Sequence, residues 1–158
     1  MCAAIKSRGV EVNSDLAEGA ALLHDIDKGL PPDDPYRALG HGAAGAQWLT
    51  DHGYSELAPA IRDHPVNVIG NAASYDEWAA SQSLEAQLVA YSDKRAHQDI
   101  VTLDERFERW FKRYPDNPME PIAYERFQRL ERELCEMAGV APQDVRRLAW
   151  VNQTSAFR

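Results

Sequence analysis

The stretch TLDERFERWFKRY, residues 102–114, decides the fold class of this chain. Thr102 is followed three residues later by Glu105, a capping-box pattern that marks the first turn of a helix. Large apolar side chains then recur at helical spacing, at Leu103, Phe107, Trp110, Phe111 and Tyr114. We interpret this stripe as the core face of an amphipathic helix rather than as a base-stacking surface.

Helical periodicity continues on both sides of this stretch. The predicted helices cover residues 1–8 (the tail end of a helix stopped by Gly9), 16–28 with an N-cap at Ser14, 41–51, 56–63, 83–97, a segment around 127–137 and a short last helix opened by Pro142. Residues 65–82 are predicted to be irregular, and VNVIG at 66–70 is the only short strand candidate. The predicted class is therefore all-α.

The best boundary candidate is YPDNPMEP, residues 114–121, which has three prolines in eight residues. We predict a helical domain over 1–115, followed by a C-terminal helical extension over 116–158 that packs on the same core. The total of 158 residues is the size of one ordinary domain.

Composition excludes several classes of protein. An apolar fraction of 44% with 27% charged residues is typical of a soluble globular chain. The net charge of -8 disfavours a nucleic-acid duplex as partner. No apolar run approaches the roughly 18–20 residues that cross a bilayer, and the N-terminus turns polar too early for a signal peptide. Cys2 and Cys135 form no metal or disulfide pattern, which favours a reducing cytoplasm.

Nucleophilic catalysis is also disfavoured. Cys2 is expected at a frayed end, Cys135 lies in a predicted helix without a nearby histidine, and the chain contains no GxSxG motif. A Walker-type phosphate loop is missing from the sequence too.

Imidazole and carboxylate groups end or interrupt apolar helical faces at four places. His24 and Asp25 follow AALL, His41 opens HGAAGAQWL, His64 ends LAPAIRDH, and Asp93 lies within LEAQLVAYSDKR. Each one alone could be a helix cap, a dipole partner or a buried hydrogen-bonding group. Burying such groups costs free energy unless they are paired or coordinated. Their repetition on successive helices predicts a site for a divalent transition metal.

The segments ALLHDIDK (21–28), HGAAGAQWL (41–49), AIRDH (60–64) and LVAYSDKRAHQDIVTLDERFERWFKRYP (88–115) resemble the HD superfamily of metal-dependent phosphohydrolases. The resemblance covers roughly residues 9–115. It implies an HD-domain helical bundle and cleavage of a small phosphoester or nucleotide by metal-activated water. The implied cofactors are divalent ions (Mn, Fe, Mg or similar), possibly two.

The resemblance also implies a ligand set. His24, Asp25 and Asp93 would hold one metal, and Asp25, His41 and His64 would hold a second, bridged by Asp25. The family's first ligand is a histidine upstream of the pair, but no histidine precedes His24 here. We therefore expect either a truncated first helix or an incomplete first site. The alternatives are a catalytically impaired HD-fold binding or regulatory module and a plain helical scaffold.

Several side chains near these ligands are candidates to act on substrate. Lys28, Lys94 and Arg95 could bind substrate phosphate, and Asp63 could orient a ligand or act as a general acid or base. With Asp25, we predict Lys28 and Asp63 as catalytic residues. The resemblance allows nucleoside monophosphates, dinucleoside polyphosphates, guanosine tetraphosphate-type alarmones and other phosphoesters, whereas the motifs associated with cyclic di-GMP hydrolysis are missing from the sequence. The helices after Pro121 could add a cap or a homodimer surface, and the sequence does not choose between them.

Overall fold

The computed structural model describes residues 1–117 and 119–148. Its α-helices are Cys2–Ser7 (α1), Ser14–Leu23 (α2), Ala43–Asp51 (α3), Ala58–Arg62 (α4), Val66–Asn71 (α5), Tyr75–Ser81 (α6), Leu84–Arg95 (α7), Leu103–Arg113 (α8) and Met119–Ala138 (α9). Short 3-10 helices cover Ile26–Gly29, Pro35–Leu39 and Pro142–Arg147. These residues contain no β-strand, so the all-α prediction is confirmed. None of the described helices is both long and apolar enough to cross a membrane.

The prediction that residues 65–82 are irregular is wrong, because they form α5 and α6. The Ser74 side chain caps α6 by accepting a hydrogen bond from the backbone N–H of Glu77. The strand candidate VNVIG is helical, and its Ile69 is 1% exposed within the core. Burial of this side chain overrides the strand preference of the β-branched residues around it.

The helix predicted over residues 16–28 has different ends. Asn13, rather than Ser14, is the N-cap, and its side chain accepts from the backbone N–H of Leu16 at 3.1 Å. The helix ends at Leu23, and the chain then tightens into the 3-10 helix Ile26–Gly29. His24 and Asp25 therefore lie at a bend between two helical segments instead of inside one.

The capping box at Thr102 is confirmed. The Thr102 hydroxyl accepts from the backbone N–H of Glu105 at 3.1 Å, and the Glu105 carboxylate accepts from that of Thr102 at 2.7 Å. Leu103 and Phe107 are buried, as a core face requires. The stripe leaves the core towards the end of α8, where Tyr114 is exposed.

Two hydrophobic clusters fill the interior, and α7 contributes to both. The larger cluster contains side chains of α1 and α5–α9, with Phe127, Leu130 and Leu134 of α9 fully buried. The smaller cluster joins α2, α3 and α4 to the Ala86 and Val89 face of α7. The predicted site residues lie at or next to the ends of α2, α3, α4 and α7. Because these four helices share the smaller cluster, its packing positions the site.

The predicted C-terminal extension is described in part, since Pro118 and residues 149–158 lie outside the described residues. Helix α9 packs against α1, α5, α7 and α8. The division into 1–115 and 116–158 stays a prediction.

Candidate metal centre

Helix ends bring the predicted ligands together. His24 follows α2, His41 precedes α3 by two residues, and His64 follows α4 by two. Asp25 begins the 3-10 turn, and Asp93 lies in the last turn of α7. Side chains at helix ends converge here because their helices share the smaller cluster.

The carboxylate of Asp25 is the centre of this arrangement. Its Oδ1 atom lies 3.3 Å from Nε2 of His41, 3.5 Å from Nε2 of His24 and 3.9 Å from Nε2 of His64. Lys28 donates to Oδ2 at 2.8 Å, and its ammonium is equally close to Oδ1. Even so, the buried Oδ1 atom receives no hydrogen bond of acceptable geometry from any described residue. Such an oxygen fits a cation better than it fits a metal-free core.

Hydrogen bonds behind two of the imidazoles fix their orientation. His24 donates from Nδ1 to the Ala21 carbonyl at 2.7 Å, and His64 donates from Nδ1 to the Ile61 carbonyl at 2.5 Å. A carbonyl oxygen can only accept, so Nδ1 carries the proton in both rings. The unprotonated Nε2 atoms then face Asp25, as in metal-ligating histidines.

The third imidazole is held by Asp27, a residue that the sequence reasoning missed. Its buried carboxylate accepts from Nδ1 of His41 at 3.0 and 3.1 Å. Gly45 leaves room for this pair, since a Cβ there would lie 3.4 Å from Oδ1 of Asp27 and 3.2 Å from a methyl group of Ile26. An acid two residues after Asp25 was visible in the sequence, but nothing there distinguishes it from a surface acid.

Gly42 lets His41 approach His64, whose Nε2 atom lies 3.2 Å from Nε2 of His41. Its φ of +83° is in the region that favours glycine. A Cβ at this position would lie 2.4 Å from the Arg62 carbonyl oxygen and 2.7 Å from the ring of Pro65. No other residue fits this crossing between α3 and α4 without a backbone shift.

Asp93 lies beside the cluster but has partners of its own. Its Oδ1 atom is 3.6 Å from Nε2 of His24 and 3.7 Å from the Arg106 guanidinium. Its Oδ2 atom contacts the ammonium of Lys94, which is only 3% exposed. That ammonium also lies 5.2 Å from the centre of the Trp110 ring, a cation–π distance.

The protonation of the cluster suits a cation. Burial lowers the pKa of His64 to about 4, so this imidazole is neutral at neutral pH. Burial also opposes the charged form of Asp25, but Lys28 and His24 outweigh it and lower the pKa of that carboxyl. Burial also opposes the charged form of His24, yet the interactions with Asp93, with the Ala21 carbonyl and with Asp25 together outweigh it and raise the pKa of the imidazole.

Two of the other predicted residues have partners elsewhere. Arg95 is buried and donates to Glu131, to the Tyr91 hydroxyl and to backbone carbonyls, which ties α7 to α9. The Asp63 carboxylate accepts from Gln82 at 3.2 Å, and the partner of His64 Nδ1 is a backbone carbonyl rather than Asp63. Lys28, with a side chain 57% exposed, is the predicted phosphate ligand that the structure places at the cluster.

The donor set can hold a metal. One ligand atom from each of His24, Asp25 and His64 lies within 4.8 Å of the others, and His41 is within 3.3 Å of both Asp25 and His64. Neutral imidazoles with one carboxylate suit Mn, Fe, Zn or a similar divalent ion.

Comparison with known proteins gives one match. The family model of the HD domain matches residues 1–97. No curated protein and no solved structure matches the chain.

Proposed function

This chain belongs to the HD-domain family, and we propose that it is a metal-dependent phosphohydrolase that cleaves a small phosphoester or nucleotide. One observation carries the proposal. Three Nε2 atoms face one buried carboxylate oxygen of Asp25 from 3.3 to 3.9 Å, and its one close cation among the described residues, the Lys28 ammonium at 2.8 Å, makes no hydrogen bond of acceptable geometry to it. This arrangement has no evident use in packing, and its donor atoms are of the kind that bind a divalent metal, which supports the proposal.

A divalent ion held here would supply Lewis acidity for activating water as a nucleophile and for offsetting negative charge on a phosphoryl group. The protein residues prepare the site for it. The Nδ1 hydrogen bonds hold each imidazole in the tautomer that leaves Nε2 unprotonated. The side chains of Asp25 and His41 are 40% and 32% exposed, so a substrate can reach the cluster.

Lys28 is the residue that we assign to substrate phosphate. Its ammonium is held at the cluster by Asp25, and most of its side chain is in solvent, so it can turn to a phosphoryl oxygen. The charged ends of Lys94 and Arg95 are buried and paired, which makes them poor phosphate ligands. The positive charge of Lys28 also counteracts, at the site, the repulsion between an anionic substrate and a chain whose net charge is -8.

The test is phosphate release by the chain reconstituted with Mn²⁺ or Fe²⁺. The substrates are p-nitrophenyl phosphate, bis(p-nitrophenyl) phosphate, nucleoside monophosphates and a dinucleoside polyphosphate. We expect hydrolysis of at least one, abolished by Asp25→Asn and retained by Asp51→Asn, a matched change at an exposed acid bonded to Tyr36 and Gln47. Equal rates for both variants would refute the proposal.

A second candidate is an HD-fold binding or regulatory module without catalysis. The observation that favours it is the pairing of Asp93 with Lys94 and Arg106, which occupies a carboxylate that the family resemblance assigns to metal. Metal binding that depends on Asp25, with no hydrolysis of any substrate in the panel, would support this candidate.

A further inference from the structure

We infer that Arg106 is a further residue of this site that binds substrate phosphate, and that it reaches the phosphoryl group from the Asp93 side. The inference rests on the proposed function, since it adds a ligand for the anionic substrate to the same site. Arg106 is not among the residues that the sequence predicts as phosphate ligands, which are Lys28, Lys94 and Arg95.

The guanidinium of Arg106 lies at the edge of the candidate metal centre. Its Nη2 atom is 3.7 Å from Oδ1 of Asp93, and Nε2 of His24 lies 3.6 Å from the same oxygen. The Arg106 side chain is 18% exposed, so it is shielded from most of the solvent without being closed off from it. Because Arg106 and His24 face one oxygen atom, an anion bound beside His24 is close to this guanidinium.

The hydrogen-bonding capacity of Arg106 is unused within the part of the chain that the structure describes. A guanidinium has five N–H donors. The distance to Asp93 is too long for a hydrogen bond, and the buried Nε atom has no acceptor among the described residues. Donors that are held out of water without an acceptor cost free energy, so this side chain is suited to a ligand that supplies acceptor oxygens.

The charges around Asp93 leave one cation in excess. The Lys94 ammonium contacts Oδ2 of Asp93 and neutralises this carboxylate. The two acids that precede Arg106 in α8, Asp104 and Glu105, accept hydrogen bonds from other residues. Arg106 is therefore a surplus cation beside the site, in a chain whose net charge is -8. A bound anion would supply the counter-charge that the surrounding side chains do not.

Helix α8 holds Arg106 in place before any ligand binds. Its neighbours Leu103 and Phe107 are 2% and 0% exposed, which fixes this part of the helix on the core. The guanidinium lies 5.1 Å from the centre of the Trp110 ring, one turn later. A side chain supported in this way loses little conformational freedom on binding, and its planar fork matches two oxygens of a phosphoryl group.

The experiment measures binding of inorganic phosphate to the purified full chain by isothermal titration calorimetry, before and after loading with Mn²⁺. The test variant is Arg106→Gln. Its matched control is Arg109→Gln, which removes the same charge from an exposed position of the same helix. Arg106→Lys keeps the charge but loses the planar fork, and it serves if Arg106→Gln does not fold. The Mn²⁺ affinity and the Tm of each variant show whether Arg106 acts only as a structural counter-ion of Asp93.

We expect Arg106→Gln to bind phosphate roughly tenfold more weakly or worse, with and without Mn²⁺, because a charge-assisted bidentate contact is lost. Arg109→Gln should stay within about twofold of the wild type, since exposed charges are screened by salt. No phosphate binding by the wild type, or equal phosphate affinity in the wild type and the Arg106 variant, would overturn the inference and leave the proposed function standing. Phosphate binding that depends on Arg106, in a chain that hydrolyses none of the phosphoesters above, would support the anion site and overturn the proposed function.

Discussion

Asp27 fixes His41 by accepting from its Nδ1 atom with both carboxylate oxygens. Outer-shell carboxylates of this kind set the tautomer of a ligating histidine and raise its basicity. We predict that Asp27→Asn weakens divalent metal binding about 10-fold, because an amide oxygen still accepts but its charge is lost. Isothermal titration of the folded variant with Mn²⁺ measures the change.

The control for this substitution is Asp34→Asn. The Asp34 carboxylate accepts from the backbone N–H of Tyr36 at the start of the Pro35–Leu39 turn and lies outside the ligand cluster. Its loss should leave metal affinity within about twofold. An equal effect of both substitutions would show that Asp27 acts through general charge rather than through His41.

We expect metal affinity to fall as the pH is lowered. His24 has a raised pKa, so as the pH drops this imidazole gains a proton, and the resulting charge opposes a cation at the neighbouring Asp25. His64, with a pKa lowered to about 4, remains neutral through this range and does not contribute. We predict weaker metal binding at pH 6 than at pH 8, measured by competition with a chelator.

The sequence placed His24, Asp25, His41, His64 and Asp93 as ligand candidates, and the structure brings these five side chains together. In the sequence these polar residues interrupt or end apolar helical faces, and that pattern can be recognised without a structure. What the sequence could not predict was the partner of each group. Lys94 was a candidate to bind substrate phosphate, and only the packing of α8 and α9 shows that its ammonium is buried against Asp93.

At the scale of helices, Gly42 controls how closely α3 meets the end of α4. We predict that Gly42→Ala destabilises the fold by about 2 kcal/mol or more, because its positive φ and the contact with the Arg62 carbonyl both oppose a Cβ. Metal affinity should fall as well, since His41 must move with the backbone. Urea unfolding and Mn²⁺ titration measure the two effects.

The variant Gly53→Ala separates the effect of backbone strain at a positive φ from the effect of a steric clash of the added Cβ. Gly53 has a φ of +87°, close to that of Gly42, but a Cβ there meets nothing within 4 Å. Its substitution should cost only about 1 kcal/mol and leave metal binding unchanged. If both alanine variants lose metal affinity equally, the close approach at Gly42 is not what positions His41.

Long, periodic helices were predictable, and short ones were not. The capping box and stripe of α8 appear in the structure as expected. Helices α5 and α6 are six and seven residues long, too short for periodicity to stand out against the β-branched residues of 66–69. They form because Ile69 and Trp78 are buried in the larger cluster, and that depends on residues far away in the sequence.

For the whole molecule, metal should stabilise the fold by mass action. Ions at 100 times their Kd add about 2.7 kcal/mol, which raises the Tm of a chain of this size by roughly 5–10 °C. We predict this shift with Mn²⁺ and its reversal by a chelator in the wild type, and no shift in His41→Gln. Differential scanning calorimetry measures it, and an equal shift in both proteins would indicate binding outside the cluster. The cytoplasmic location and the homodimer stay predictions at this scale.

The division of the interior into two clusters has a consequence for local opening. The proposed ligands His24, His41 and His64 are attached to α2, α3 and α4, whereas α9 packs on the larger cluster. Helices that share a cluster tend to open as one cooperative unit. Metal should therefore slow amide hydrogen exchange in α2–α4 much more than in α9, so that the ion is released by a partial opening while the remaining helices keep their protection.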